Sequence, residues 1–161
     1  MHYSEDNVVK TFKTVKPDSN RLIVEVQTMP ARHVAFVRHT GPYQECGKAW
    51  EKLCAYLGKE GFFTGATQFI GLCHDDPEVT PPDKVRYDAC ATVGPEFRAV
   101  GEIGVQTIPG GDYAVTMHYG PYQNLSKTYA RVFGQWLPRS GREMGDGPSL
   151  ELYQNDPNST A

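Results

Sequence analysis

Val26-Gln27-Thr28-Met29-Pro30 and Val105-Gln106-Thr107-Ile108-Pro109 are one segment written twice, and the same offset of 79 lays Gly41-Pro42-Tyr43-Gln44 on Gly120-Pro121-Tyr122-Gln123. Between Val24 and Leu57, eleven of thirty-four positions match the residue 79 further on, among them Ala35/Ala114, His39/His118 and Lys48/Lys127. Beyond that, an offset of 80 pairs Asp76-Pro77 with Asp156-Pro157 and Thr80 with Thr160. A period of this kind sets the architecture before any single element is read. The sequence reads as a tandem duplication, with units at 22–93 and 101–161 inside one domain at 21–161, behind a polar segment at 1–20.

Each unit is predicted to run strand, helix, strand, strand, with short β-rich segments ahead of the helix. In the first, Leu22–Gln27 and His33–His39 are short β-rich segments around a Pro-Ala turn. Gly41-Pro42 then opens a helix, because proline is tolerated where the first amide has no partner. Tyr43, Cys46, Trp50, Leu53, Cys54 and Leu57 follow as an amphipathic stripe that Gly58 or Gly61 ends. Phe69–His74 and Lys84–Val93 are strands around a long Asp/Pro loop. In the second unit Ile103–Thr107 and Tyr113–His118 are strands, Gly120-Pro121 opens a helix, and the stripe is Tyr122, Leu125, Tyr129, Val132, Phe133 and Trp136. Pro138 is expected to end that helix, and Ser149–Gln154 is the next strand. The counterpart of Pro81–Val93 does not follow, so the second unit is one strand short, and truncation within that loop is the expected reason.

Composition narrows the function classes. The chain has 161 residues, 16 Lys+Arg against 19 Asp+Glu and a net charge of −3, which suits one ordinary globular domain. A surface that binds nucleic-acid phosphates would show as clustered cations, and none is present. No apolar run has the ~18 residues of a membrane span. Met1 to Asn20 lacks the apolar core of a secretory signal. Cys46, Cys54, Cys73 and Cys90 form no C-x-x-C pair, and four reduced thiols in a cytoplasmic protein are expected, although a Cys73–Cys90 bridge across a hairpin is conceivable. His39 and His118 are repeat mates beside a strand-to-helix turn, which favours a structural role. His74-Asp75-Asp76 reads as a solvated turn rather than a cation site, and no metal is expected. Arg86 and Asp88 alternate on one strand face and read as a structural pair.

The tandem βαββ plan, the Gly-Pro-Tyr after each second strand and Leu150-Glu151-Leu152-Tyr153-Gln154-Asn155-Asp156-Pro157 resemble the GyrI-like small-molecule-binding domain. Asp76-Pro77-Glu78-Val79-Thr80-Pro81, followed by Arg86-Tyr87-Asp88, resembles that family's loop before its last strand. The resemblance covers Leu22 to Thr160. It implies an α+β fold in which two βαββ units, related by pseudo-twofold symmetry, place an antiparallel sheet and two main helices around a central cleft. Members that are multidrug-responsive AraC- or MerR-type regulators carry a helix-turn-helix ahead of this domain. Only about twenty polar residues precede it here, so a stand-alone member without direct DNA binding is expected.

Glu151 is the sharpest candidate for chemistry. Alternation places Glu151 and Tyr153 on one strand face and the flanking leucines on the other, while the matched position in the first unit is Gly71. The resemblance implies that a glutamate here neutralises cationic, lipophilic ligands, and a carboxylate in an aromatic cleft does select a cation. Ligand contacts are expected from Glu151, Tyr153, Trp136, Phe133, Tyr122 and Tyr43, with no cofactor. Most other residues of the aromatic stripes, Tyr129, Trp50 and Tyr56 among them, read as core. Two further functions follow from the resemblance. One is hydrolysis of cyclopropanoid DNA-alkylating compounds, with Glu151 and Tyr153 as the catalytic pair. The other is a protein-interaction role such as gyrase inhibition, for which the Asp75–Asp83 loop is the protruding element.

Overall fold

Strand-forming segments supply the frame. The computed structural model describes residues 8–10, 22–118, 124–143, 145 and 147–153. Eight strands are β1 (Val8–Lys10), β2 (Val24–Met29), β3 (Arg32–Thr40), β4 (Phe69–Cys73), β5 (Arg86–Thr92), β6 (Gly104–Ile108), β7 (Gly111–Met117) and β8 (Ser149–Tyr153). They form one sheet in the order β2-β7-β1-β8-β4-β5-β3-β6. Together with the helices below, this makes an α+β fold.

The connections force the sheet to curl. β2, at one end of the order, reaches β3, near the other end, through Pro30 and Ala31 alone. Likewise β6 reaches β7 through Pro109 and Gly110. Neighbouring strands lie about 4.8 Å apart, so two residues cannot cross a flat sheet of this width. The ends therefore come together, and the two turns touch: a Cβ on Gly110 would lie 2.8 Å from the Ala31 amide nitrogen. Inside the curl, Val34, Ile70, Leu72, Cys90, Ile108, Tyr113, Val115, Leu150 and Leu152 form one buried cluster to which no helix contributes.

The outer face carries the helices. A 3-10 turn at Tyr43–Glu45 leads into α1 (Gly47–Lys59), which buries Ala49, Trp50, Leu53 and Leu57 against Ala35, Val37, Tyr87, Ala89 and Ala91. Each fully buried leucine contributes ~1.5–3 kcal/mol to keeping the helix docked. α1 ends at Lys59, and Gly61 follows with φ of 74°, a left-handed conformation that suits glycine. The second helical segment is less regular: α2 (Leu125–Arg131), a π-helical turn (Val132–Trp136) and α3 (Leu137–Ser140). No residue of α2 is fully buried, though Tyr129 is half-buried, and Val132 is the only fully buried residue of the π turn.

Three points of the sequence reading change or sharpen here. Pro138 does not end the second helix; it sits in the first turn of α3, and Gly141 with φ of 73° is the stop. The π turn shifts the bonding so that Leu137 N–H reaches Val132 O, which lets the chain continue into a proline that has no N–H to give. Cys73 and Cys90 face opposite sides of the sheet, so no bridge joins them, and all four thiols are free. The third concerns the absent strand. β5 fits between β4 and β3, and the place between β8 and β7 is taken by β1 from the polar segment 1–20, parallel to both neighbours. An open gap there would leave two rows of backbone groups unpaired in the middle of the sheet. No helix among the described residues is long and apolar enough to cross a membrane.

Candidate functional site

At the centre of the sheet β4 and β8 pair antiparallel, with Gly71 directly opposite Glu151. Residues directly opposite one another share a face, so Glu151, Tyr153, Gly71 and Cys73 all point to the helix side. Glu151 is only 9% exposed. Leu150 and Leu152 point into the curl, as alternation requires.

The buried carboxylate is ringed by neutral donors. Tyr153 O–H donates to Glu151 Oε1 at 2.6 Å, Tyr129 O–H donates to Oε2 at 2.9 Å, and Cys73 S–H donates to Oε2 at 3.4 Å. Behind Tyr153 stands a relay: its hydroxyl is 2.7 Å from that of Tyr87, which accepts Trp50 Nε1–H at 3.1 Å. Indole can only donate and an ionised carboxylate can only accept. The direction of the chain is therefore fixed with Glu151 charged, running Trp50 to Tyr87 to Tyr153 to Glu151. Among the described residues no cation forms an ion pair with Glu151.

Gly71 makes room for this relay. A Cβ at Gly71 would collide with the Tyr87 hydroxyl and lie 2.8 Å from that of Tyr153. The small residue opposite Glu151 is thus where two phenols converge. Ring packing closes the surroundings: Trp50 meets Tyr153 edge-on at 5.6 Å, Tyr43 meets Tyr87 at 5.9 Å, and Tyr129 stacks on Phe133 at 5.6 Å.

The acidity of the neighbours follows from burial and from the carboxylate. Burial, then the Glu151 charge, pushes Tyr87, Tyr129 and Tyr153 well above the usual phenol range. Burial and the same carboxylate raise Cys73 well above an ordinary thiol and Cys46 to about 11. All of these groups stay protonated near neutrality and are not nucleophiles.

Of the expected ligand residues, Glu151 and Tyr153 lie together in hydrogen-bond contact. Tyr43 packs on Tyr87, and its hydroxyl donates to Asp75 O at 2.8 Å, tying the cleft to the base of the Asp75–Asp83 loop. Phe133 reaches the site through its stack on Tyr129. Trp136 is half-buried in the π turn. Tyr122 lies outside the described residues. The sequence reading left Trp50, Tyr87, Cys73 and Tyr129 out of the site. Alternation of Tyr87 with Ala89 and Ala91 along β5 was the signal for Tyr87. Tyr56 packs instead on Phe97, away from Glu151.

A second buried carboxylate occupies the opposite face. Asp88 is fully buried and receives Arg38 through both Nε at 2.7 Å and Nη2 at 2.9 Å, His74 Nε2 at 2.7 Å and Gln106 Nε2 at 3.1 Å. Burial alone would raise its pKa, but the hydrogen bonds from Arg38, His74 and Gln106 win and hold it far below the usual carboxylate range. Arg86 is not its partner. The Arg86 side chain is exposed at the start of β5 and grips Asp75 at 2.9 and 2.8 Å. The His74-Asp75-Asp76 turn is therefore bound into the fold through His74 and Asp75 rather than solvated. No metal-binding group of His, Cys, Asp and Glu occurs among the described residues. His39 Nε2 contacts Pro42 O and His118 Nδ1 contacts Thr128 Oγ1, both at 2.8 Å, so each histidine ties a strand end to the following helical segment.

A curled sheet with helices over its outer face and a buried carboxylate beneath them defines an α+β architecture. The chain belongs to the GyrI-like small-molecule binding domain family, whose model matches residues 24–161. Among curated proteins it is 37% identical over 92 residues to the probable transcriptional regulator YgiV of Escherichia coli (strain K12), covering 55% of this chain and 56% of that one. The chain thus spans little more than half the length of that relative. It is 27% identical over 130 residues to a DNA gyrase inhibitor of Yersinia enterocolitica, covering 78% of this chain and 82% of that one. In fold it is similar to the EcmrR chain of an EcmrR–DNA complex, with a TM-score of 0.66, 23% identity and coverage of 83% and 50%. The EcmrR C-terminal domain gives 0.58, 22%, 74% and 77% for the same measures.

Proposed function

We propose that this protein binds amphipathic, cationic small molecules at Glu151 and acts as a sensor or sequestering protein. One observation carries the reading: Glu151 is buried among aromatic rings and answered only by neutral hydroxyls and a thiol, with no cation paired to it among the described residues. An ionised carboxylate so placed acts in a medium that screens poorly, and a lipophilic cation neutralises it. The surrounding rings add stacking and cation–π contact worth ~0.5–2 kcal/mol each. The second helical wall, which buries far less than α1, is the side that gives way to admit a ligand.

The hydrolytic alternative needs Tyr153 to polarise a substrate carbonyl. Its proton is already committed to Glu151, and its lone pair to Tyr87, which favours binding over turnover. Relatives named as transcriptional regulators and gyrase inhibitors suit a small-molecule sensor that passes its state to a partner. Titration with matched cationic and neutral lipophilic dyes, followed by fluorescence, tests the proposal. Wild type should prefer the cations at micromolar concentration, and Glu151→Gln should lose that preference by tenfold or more. Equal binding of both dye classes, or an unchanged preference in Glu151→Gln, refutes it.

A further inference from the structure

Three arginines of this chain can be compared at the level of one guanidinium edge. Nε–H and one Nη2–H point the same way and match the two oxygens of a carboxylate. Arg38 applies that edge to Asp88, with Nε at 2.7 Å and Nη2 at 2.9 Å. Arg86 applies the same edge to Asp75, at 2.9 and 2.8 Å. Arg32 is more buried than either, only 9% exposed, yet its Nε and Nη2 are buried without any hydrogen-bond partner.

Its position explains why nothing close by answers it. Arg32 opens β3 opposite Ile108, so its side chain points to the face of Ile108 and Tyr113, inside the curl. Tyr113 carries no charge near neutrality and spends its own proton on Pro109 O. Burial lowers the guanidinium's pKa, with Tyr113 acting in the opposite sense. No Asp or Glu forms an ion pair with Arg32 among the described residues. A buried cation with an unmet two-pronged donor edge is costly for the fold, and the group that relieves it is an anion of matching shape.

We propose that Arg32 forms a second ligand site, inside the curled sheet near the Pro30-Ala31 and Pro109-Gly110 turns, for a small monocarboxylate with an apolar body. The paired donors select a planar, two-oxygen anion, while Ile108 and Tyr113 favour an apolar group behind it. The enclosed setting, with both donor atoms buried, favours a small molecule over a protein side chain. This site lies on the opposite sheet face from Glu151, takes ligands of opposite charge, and does not depend on the reading of Glu151.

The test uses the full chain with benzoate, acetate, inorganic phosphate and chloride as probes. Benzoate at about ten times its Kd should raise Tm by about 4 °C and shift one arginine Nε–H resonance in a ¹H–¹⁵N spectrum. Acetate should do the same more weakly, and phosphate and chloride should need at least tenfold higher concentration. Arg32→Lys keeps the charge but loses the paired edge, so it should abolish the resonance shift and weaken benzoate at least tenfold. Arg32→Met should lose the response while folding at least as stably as wild type. Glu151→Gln should leave the benzoate response intact. Equal responses to phosphate and benzoate, or a benzoate response that survives in Arg32→Lys, overturn the proposal. So does an Arg32 Nε–H that is already paired with a carboxylate of the chain itself before any probe is added.

Discussion

Asp88 and Glu151 are two buried carboxylates on opposite faces of one sheet, and they are treated in opposite ways. Asp88 receives a bidentate arginine, a histidine and a glutamine, so its charge is cancelled inside the fold. Glu151 receives two phenols and a thiol, so it is well hydrogen-bonded but its charge is not cancelled. Hydrogen bonds satisfy lone pairs; only a counter-charge neutralises the field. The first arrangement stabilises a structure, and the second keeps an electrostatic demand in reserve. Burial alone does not distinguish the two. The identity of the donors does.

The largest expected difference is in stability. Asp88→Asn strands Arg38 and His74 beside a neutral amide and should cost about 3 kcal/mol in urea unfolding, since removing one partner of a buried pair is severe. Because the folded pKa of Asp88 is depressed, its contribution is complete above the unfolded value near ~4 and is lost as pH falls through the folded value. Wild type and variant should therefore differ most near neutrality and converge in strong acid. A difference that instead grows on acidification would mean that Asp88 is not the ionised centre of its cluster.

Next comes Gly71→Ala, which drives a methyl group into the Tyr87 and Tyr153 hydroxyls. Overpacking of this kind should cost about 2 kcal/mol, and it should weaken cationic dyes as well, because the relay to Glu151 is displaced. Normal dye binding with normal stability would show that the relay does not organise the site. The smallest effect is Tyr129→Phe. Loss of one donor to Glu151 should cost about 1 kcal/mol of stability, yet leave the carboxylate less satisfied, so affinity for cations should hold or rise. A loss of cation affinity equal to that of Glu151→Gln would assign the recognition to the hydroxyl rather than the charge.

Most of the frame was legible in the sequence because it depends on local pattern. Seven of the expected strands fall within two residues of β2 through β8. Gly-Pro placed the start of the first helical segment, and alternation placed Glu151 and Tyr153 together on the helix face. The other partners of Glu151 were not legible, because they converge from two further strands and two helices. Tyr87 arrives from β5 over a glycine in β4, and Trp50 and Tyr129 arrive from separate helices, at positions 79 residues apart that match in the repeat. The Arg86–Asp88 pairing failed for a related reason: same-face alternation finds neighbours along a strand, whereas Arg86 and Asp88 each found a stronger partner across one. β1 was missed because a Val-Val-Lys within a polar stretch is too short to declare itself.

That short strand has a consequence for how the chain assembles. Val9 pairs on one side with Thr116 and on the other with Glu151, the latter near the far end of the sequence. Residues 8–10 leave the ribosome well before β7 and β8, yet neither flank of their berth exists until β7 and β8 have both been made and brought side by side. Contacts between such distant segments form late, after the loop between them has closed. Until then β7 and β8 present unpaired edges toward each other in a sheet that is otherwise complete. A strand made before both of its neighbours is thus seated only after them, and its seat lies against the backbone of Glu151.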